Sequence, residues 1–414
     1  MSGPASERPR DDGGEPPIYL DNHATTRVDP RVVAAMLPWF ETDYGNAAST
    51  SHVFGRRAAD AVERSRADLA AAVGAHPSEV VFTSGATESD NTALAGVARA
   101  MRERGDHIVT VVTEHKAVLD TCSQLEREGF RVTRLPVDGD GLVDPADVAA
   151  AVEARTILVA VMAVNNETGV VQPFAEIGAI CRERDVRYLC DAAQAVGRIP
   201  VDVEAQQIDL LAFTAHKLYG PKGIGCLVVR RANPKVVLEP LIHGGGHERG
   251  MRSGTLSVPL IVGFATATRL AVAEIDDEIA RIGALRERLW LGLNGRIEAI
   301  HLNGHPERRV AGNLNIAIDG IEAGDLLVSL PGLAASPGAA CNSASPKPSY
   351  VLAAMGLDLR RCFASVRFGI GRFTTEAEID RTIVLVSEMV ASLRARSPLW
   401  EMKKQGVDIS QIRW

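Results

Sequence analysis

At 414 residues the chain has room for roughly two to three domain-sized units, and its 46% hydrophobic content is that of an ordinary globular protein. A net charge of -7, with no basic run of five residues, argues against a surface built to grip nucleic acid or anionic lipid, either of which needs clustered lysine and arginine. No stretch approaches the roughly 20 uncharged apolar residues of a membrane span, and six cysteines without a Cys-x-x-Cys spacing suit a reducing cytosol rather than a disulfide framework or a zinc site.

Residues 1–17 scatter Glu7, Asp11, Asp12 and Glu15 among glycines and prolines and read as a disordered tail, not a leader peptide. Residues 18–26, IYLDNHATT, read as a short strand running into a polar turn. Asp29-Pro30 then opens a helix with Val32, Val33, Met36 and Leu37 on its apolar side. A loop of small polar residues, 44–51, precedes a long helix over about 52–73. From residue 79 the pattern alternates. Strands at 80–83, 107–113, 130–135, 156–164 and 186–190 are separated by helices at 88–104, 117–128, 144–154 and 174–184, and a further strand follows at 210–213. Apolar strands alternating with helices predict an α/β fold, with a mostly parallel sheet of the seven-stranded type between helical layers. This large cofactor-binding domain is expected over 18–262, its first residues joining a smaller α/β domain over 263–414. The smaller domain begins in a long helical region, 260–293. It continues with strands at 314–318 and 365–368, helices at 323–330 and 375–391, and a cysteine-bearing loop at 334–348.

In such sheets ligands sit beyond the carboxyl ends of the strands. The polar residues there are Ser84-Gly85-Ala86-Thr87, Glu114-His115, Asn165-Asn166-Glu167, Asp191 with Gln194, and Thr214-Ala215-His216-Lys217. Lys217, placed where an apolar strand ends, is either an exposed loop lysine or a desolvated amine suited to imine formation with a carbonyl cofactor. Gly85-Ala86-Thr87 at a helix start is an ordinary N-terminus or an anion cradle. His115 is a helix cap or a ring that stacks on a flat cofactor. Asp191 is a carboxylate in need of a cationic partner, which a protonated pyridine nitrogen would provide, and Gln194 could reach a ring hydroxyl. Together these parts describe a pyridoxal phosphate site. Arg367, inside an apolar strand, is a structural ion pair or a two-point grip on a substrate carboxylate. Cys341, in a stretch of small residues, reads as an exposed and reactive thiol more than as a core filler.

At the level of whole motifs the chain resembles the cysteine desulfurases of the class V aminotransferase group, which are pyridoxal phosphate enzymes. The resemblance is carried by TSGATESDN (83–91), TEHKAVLDTC (113–122), VNNETGVVQ (164–172), DAAQAVG (191–197), HKLYGPKGIG (216–225) and HGGGHERGMRSGT (243–255). The segment SPLWEMKKQGVD, 397–408, is similar to the housekeeping iron-sulfur-cluster branch. The resemblance implies that Lys217 forms the imine and later shuttles protons, His115 stacks on the ring, Asp191 pairs with the ring nitrogen, and Gln194 bonds the phenolic oxygen. Ala86, Thr87, Thr214 and His216 would bind the phosphate together with Thr255 from a partner subunit, which makes a homodimer the active unit. Asn166 and Arg367 would hold the carboxylate of L-cysteine. Cys341 would take the sulfur as a persulfide and pass it to an iron-sulfur scaffold or another acceptor in the cytosol. No resident metal is implied, although Cys341 could touch a cluster held by a partner. The chain departs from the family pattern at Pro337-Gly338-Ala339-Ala340, where Ser-Gly-Ser-Ala is usual, at Thr214 for serine, at Asn342 for threonine, and at Gly369-Ile370 for Ser-Leu.

Overall fold

The computed structural model describes residues 16–337, 339–340 and 347–406; all but the last two residues of the expected tail lie outside it, as does Cys341. The chain opens with β1 (Ile18–Tyr19), then α1 (Pro30–Met36), α2 (Pro38–Glu41) and α3 (Val53–Ala72). Asp29 caps α1 by accepting from Arg31 N, and His52 caps α3 by accepting from Gly55 N. Of the apolar side expected on the first helix only Val32 is buried; Val33 and Leu37 are exposed.

Seven strands follow: β2 (Val80–Thr83), β3 (His107–Val111), β4 (Arg131–Leu135), β5 (Thr156–Ala160), β6 (Arg187–Asp191), β7 (Leu210–Thr214) and β8 (Gly225–Val229). They form one sheet in the order β2-β8-β7-β6-β5-β3-β4. The pairs from β4 to β7 are parallel, whereas β8 runs antiparallel to both β7 and β2. Sequence reading missed β8. The connection from β7 to β8 is too short for a crossover, so the returning strand must be antiparallel. Its first residue, Gly225, pairs with Thr83 on one side and Thr214 on the other. The carboxyl ends of β2 and β7 are thereby brought to one edge.

Alternate strand residues enter opposite cores. Val109, Val159, Tyr188 and Phe213 pack on the side of α3, while Ile108, Leu158, Leu189 and Leu210 pack on the side of α4 (Ala86–Ala100) and α5 (Lys116–Arg127). Burial on both faces is why these strands read as unbroken apolar runs. Strands β3 and β5 are shorter than the apolar pattern suggests. Beyond Val111 and Ala160 side chains take over from the ladder: Glu114 Oε1 accepts from Met162 N at 2.8 Å, and Asn165 Nδ2 donates to Thr113 O at 3.0 Å.

The expected helical region over 260–293 consists of two helices, α6 (Pro145–Ala151) and α7 (Phe174–Glu183) having come earlier in the chain: α8 (Val258–Ala273) and α9 (Ile275–Asn294) meet at 74°. Their buried faces belong to different cores. Ile261, Phe264 and Ala267 pack with the seven-stranded sheet, whereas Ile282, Leu285 and Leu289 pack on a second sheet. That sheet is antiparallel, built from β9 (Ile300–Leu302), β10 (Asn313–Ile318), then, after β11 (Leu333–Ala334), β12 (Ser336–Pro337), and, past the short pair β13 (Ala339–Ala340) and β14 (Lys347–Pro348), β15 (Ser365–Gly369). β1 pairs with β11, and Ile18 and Leu20 lie in this second core. Trp400, in the segment resembling the iron-sulfur branch, is buried, and the Arg394 guanidinium lies 3.7 Å from its ring.

Candidate active site

Beyond the carboxyl ends of the strands lies a cavity of about 680 Å³. Turns after β2, β3, β5, β6 and β7 line it, together with residues 23–25 and Arg367. Ala86, Thr87, His115, Asn166, Asp191, Gln194, Thr214, His216, Lys217 and Arg367, all singled out from sequence, line this one space. Thr255 does not line it; it is exposed on the segment before α8. Cys341 lies outside the described residues.

Lys217 closes a single 3-10 turn that begins directly after β7. Its Nζ donates to two backbone carbonyls, His23 O at 2.5 Å and Ala24 O at 2.7 Å. Burial, reinforced by Arg198 and Arg367, pulls its pKa down to about 7. Next to it, burial and the Lys217 charge lower His216 to about 4, so its imidazole is neutral, and its Nδ1 lies 3.2 Å from Thr25 Oγ1.

Asp191 ends β6 and accepts from Ala193 N at 2.8 Å through Oδ1. Burial pushes its pKa up, while the charges of His115 and Lys217 act the other way. Behind it stand two further buried carboxyls that sequence reading left without a role. Neither oxygen of Asp90 has a partner among the described residues, nor does Glu114 Oε2, and burial holds both groups well above the usual carboxylate range. Asp90 gives no local signal, since it falls in an ordinary helical pattern and only packing makes it buried.

His115 both caps a helix and lines the cavity. Its Nδ1 accepts from Ala117 N at 3.1 Å as the cap of α5, and the residue also faces the cavity. With Nδ1 accepting, Nε2 is the nitrogen left to donate. The first turn of α4 has no side-chain cap at Gly85, and a Cβ there would find only Thr214 Oγ1 within 4 Å, at 3.9 Å. Glu88 in that turn is neutralised by Arg252, with Oε1 2.8 Å from Nε.

Arg367 forms an ion pair with Asp21 at 2.8 Å and lines the cavity. Gln194 Nε2 donates to His23 O at 2.9 Å, its Oε1 accepts from Arg198, and Thr214 Oγ1 donates to Ile224 O at 3.0 Å. His23 is a wall residue that sequence reading passed over. It is buried, neither ring nitrogen has a partner among the described residues, and burial with the charges of Arg198, Arg367 and Lys217 keeps it neutral. A Cβ at Gly369 would lie 2.8 Å from His23 Nδ1, so the glycine at this departure from the family pattern makes room for the imidazole.

Residues 18–382 match the family model described as aminotransferase class-V. The chain belongs to the class-V aminotransferase family. Within that family it is similar to proteins named cysteine desulfurase IscS. That of Anaeromyxobacter dehalogenans is 55% identical over 398 residues, covering 96% of this chain and 98% of the relative, and that of Pectobacterium carotovorum is 53% identical over 400 residues at the same coverages. Among solved structures, a NifS-like protein superposes with a TM-score of 0.85 at 36% identity, covering 91% of this chain and all of the other. SspA in complex with cysteine superposes with a TM-score of 0.77 at 35% identity, covering 86% and 100%. The mostly parallel sheet between helices is thus the scaffold of a class-V enzyme of the cysteine desulfurase type.

Proposed function

We propose that this class-V enzyme is a pyridoxal-phosphate-dependent cysteine desulfurase that converts L-cysteine to L-alanine and leaves the sulfur on Cys341. The observation that carries the reading is a single cavity in which a half-buried lysine with its pKa near 7 faces a buried carboxylate, a helix-capping histidine and a guanidinium. Its volume lies within the roughly 300–1,000 Å³ typical of small-molecule sites.

The residues fit pyridoxal phosphate. The uncapped start of α4, with open space over Gly85, suits a phosphate, and Asp191 is a buried carboxylate that a cationic ring nitrogen would complete. Lys217 would hold the group through its amine and His115 would stack on it. Gln194 would bond the phenolic oxygen, and Ala86, Thr87, Thr214 and His216 would take the phosphate. When bound, the cofactor withdraws electrons from the substrate and makes loss of sulfur feasible.

The chain's own residues supply the rest. Asn166 and Arg367 hold the substrate carboxylate. Lys217, with its pKa near 7, can both give and accept a proton at Nζ. The Cys341 thiolate attacks the substrate sulfur, so that L-cysteine and the Cys341 thiol become L-alanine and the Cys341 persulfide, with atoms and electrons balanced. The enzyme works in the cytosol as a homodimer in which Thr255 of the partner subunit completes the phosphate site. It delivers the persulfide sulfur to an iron-sulfur scaffold protein or to thiolation acceptors.

The test is to incubate the protein with L-cysteine and a thiol reductant, measuring alanine and sulfide for the native chain beside Cys341→Ala. Equimolar products that vanish in the variant support the reading. Products that persist point to a lyase, and none from either chain points to a sulfur carrier.

A further inference from the structure

The Arg367 guanidinium is engaged at both ends. Nη1 donates to Asn166 O at 2.8 Å, and Nη2 donates to Asp21 Oδ1 at 2.8 Å and to Ser336 Oγ at 2.9 Å. The Ser336 hydroxyl donates in turn to the same Asp21 oxygen at 2.8 Å, closing a triangle. Nε is buried and has no partner among the described residues.

Strand pairing holds this arrangement in place. Ser336 lies opposite Arg367 in the β12–β15 register, and Asp21 bridges to Gly369, two residues further along β15. The side chains are 10% and 20% exposed, so the ion pair is shielded from water and stronger than a surface bridge.

A carboxylate takes a guanidinium at two adjacent N–H groups, either Nη1 with Nη2 or Nε with Nη2. Both pairs include Nη2. An incoming carboxylate therefore meets the nitrogen on which Asp21 and Ser336 already converge. Within the reading of Arg367 as the carboxylate holder, on which this inference rests, we propose that Asp21 is a positioning residue that competes with the substrate. Its carboxylate keeps Arg367 aimed and charge-balanced, and the substrate α-carboxylate binds by exchange with it at Nη2. The exchange gives selectivity as well as binding. A neutral or carboxylate-free amine cannot displace Asp21, so it leaves the triangle intact.

A purely structural Asp21 and a competing Asp21 predict opposite signs. Removing a mere support misaligns Arg367 and weakens substrate binding; removing a competitor strengthens it. Asp21→Asn keeps the shape and an oxygen for the Ser336 hydroxyl but removes the charge. In the holoenzyme we expect its KM for L-cysteine to fall about three- to tenfold, the size of one partly shielded charge-assisted bond, with little change in kcat. Binding of L-alanine, which carries the same carboxylate, should tighten by the same factor. Cysteamine, which has the amine and thiol but no carboxylate, should bind both chains alike. A KM for L-cysteine that rises or stays level overturns the proposal, as does an equal gain for cysteamine. Asp21→Ser gives the same comparison if the asparagine variant does not fold. Arg367→Ala separates the two levels: if it leaves the preference for L-alanine over cysteamine unchanged, the reading of Arg367 has failed. If it abolishes that preference while Asp21→Asn does not tighten binding, only the exchange has failed.

Discussion

Lys217 owes its lowered pKa to burial first and to Arg198 and Arg367 second, because two backbone carbonyls are its hydrogen-bond partners in place of a carboxylate. The sign follows directly. A lysine whose folded pKa lies near 7 loses its proton more than three pH units before an exposed one at about 10.4. In the cofactor-free protein, labelling of Lys217 by an amine-reactive reagent should therefore rise through pH 7, read peptide by peptide by mass spectrometry. A midpoint near 10 would refute the desolvated amine. Between these two pKa values the unfolded chain binds more protons than the folded one, so the contribution of this group to stability rises with pH across that window. Lys217→Ala should also abolish the visible absorbance that pyridoxal phosphate acquires on binding; an unchanged spectrum would assign the imine to another lysine. The polar residues after the strands were legible because each interrupts an apolar run. Asp21, His23 and Asp90 were not, because nothing local distinguishes a buried polar group from a solvated one.

The β7–β8 return places Gly225 against the turn that leads into α4, across a gap too small for a side chain: a Cβ at Gly225 would lie 2.6 Å from Gly85 Cα. Gly225→Ala must push the first turn of α4 outward, away from Thr214. We expect a loss of about 1–3 kcal/mol in urea unfolding, the usual cost of overpacking. Cofactor retention on dialysis should weaken as well. Loss of stability without loss of cofactor would separate this contact from the phosphate cradle. Helix and strand positions were largely readable because the periods of apolar residues differ. The antiparallel β8 was not, and neither was the bend between α8 and α9, which is set by which core each helix's apolar face meets.

A buried ion cluster ties the two sheets together: Arg372 Nη1 lies 2.8 Å from Asp29 Oδ2, at the start of α1, and Nε pairs with Glu278 on α9. Arg372→Ala would remove this partner from both carboxylates while Asp29 keeps Arg31, and should cost about 1–3 kcal/mol in urea unfolding at neutral pH. Its hydrogen bonds to Arg31 and Arg372 hold Asp29 well below the usual carboxylate range. The contribution of Asp29 is thus present above its unfolded pKa of about 4 and is lost as pH falls through the lower folded value. The penalty of Arg372→Ala should shrink on acidification, and a pH-independent penalty would argue against the ion pair. Leu37, Phe40, Tyr44 and Phe54 are exposed, and the Tyr44 and Phe54 rings stack at 5.5 Å. For the proposed homodimer we expect a light-scattering mass twice 44.2 kDa, reduced by Phe40→Asp. A native mass of one chain would refute it.

The sequence by itself determined the α/β class, the strand-end positions of the polar groups and the family, because these follow from local periodicity and from motifs contiguous in the chain. Only the tertiary structure decided which of those groups share a cavity. It also decided the protonation of Lys217 and His216, and it set Asp21 and Ser336 on Arg367. The physical reason is that desolvation and charge proximity depend on residues hundreds of positions apart. Asp21 and Arg367 are separated by 346 residues in the chain and by 2.8 Å across their ion pair.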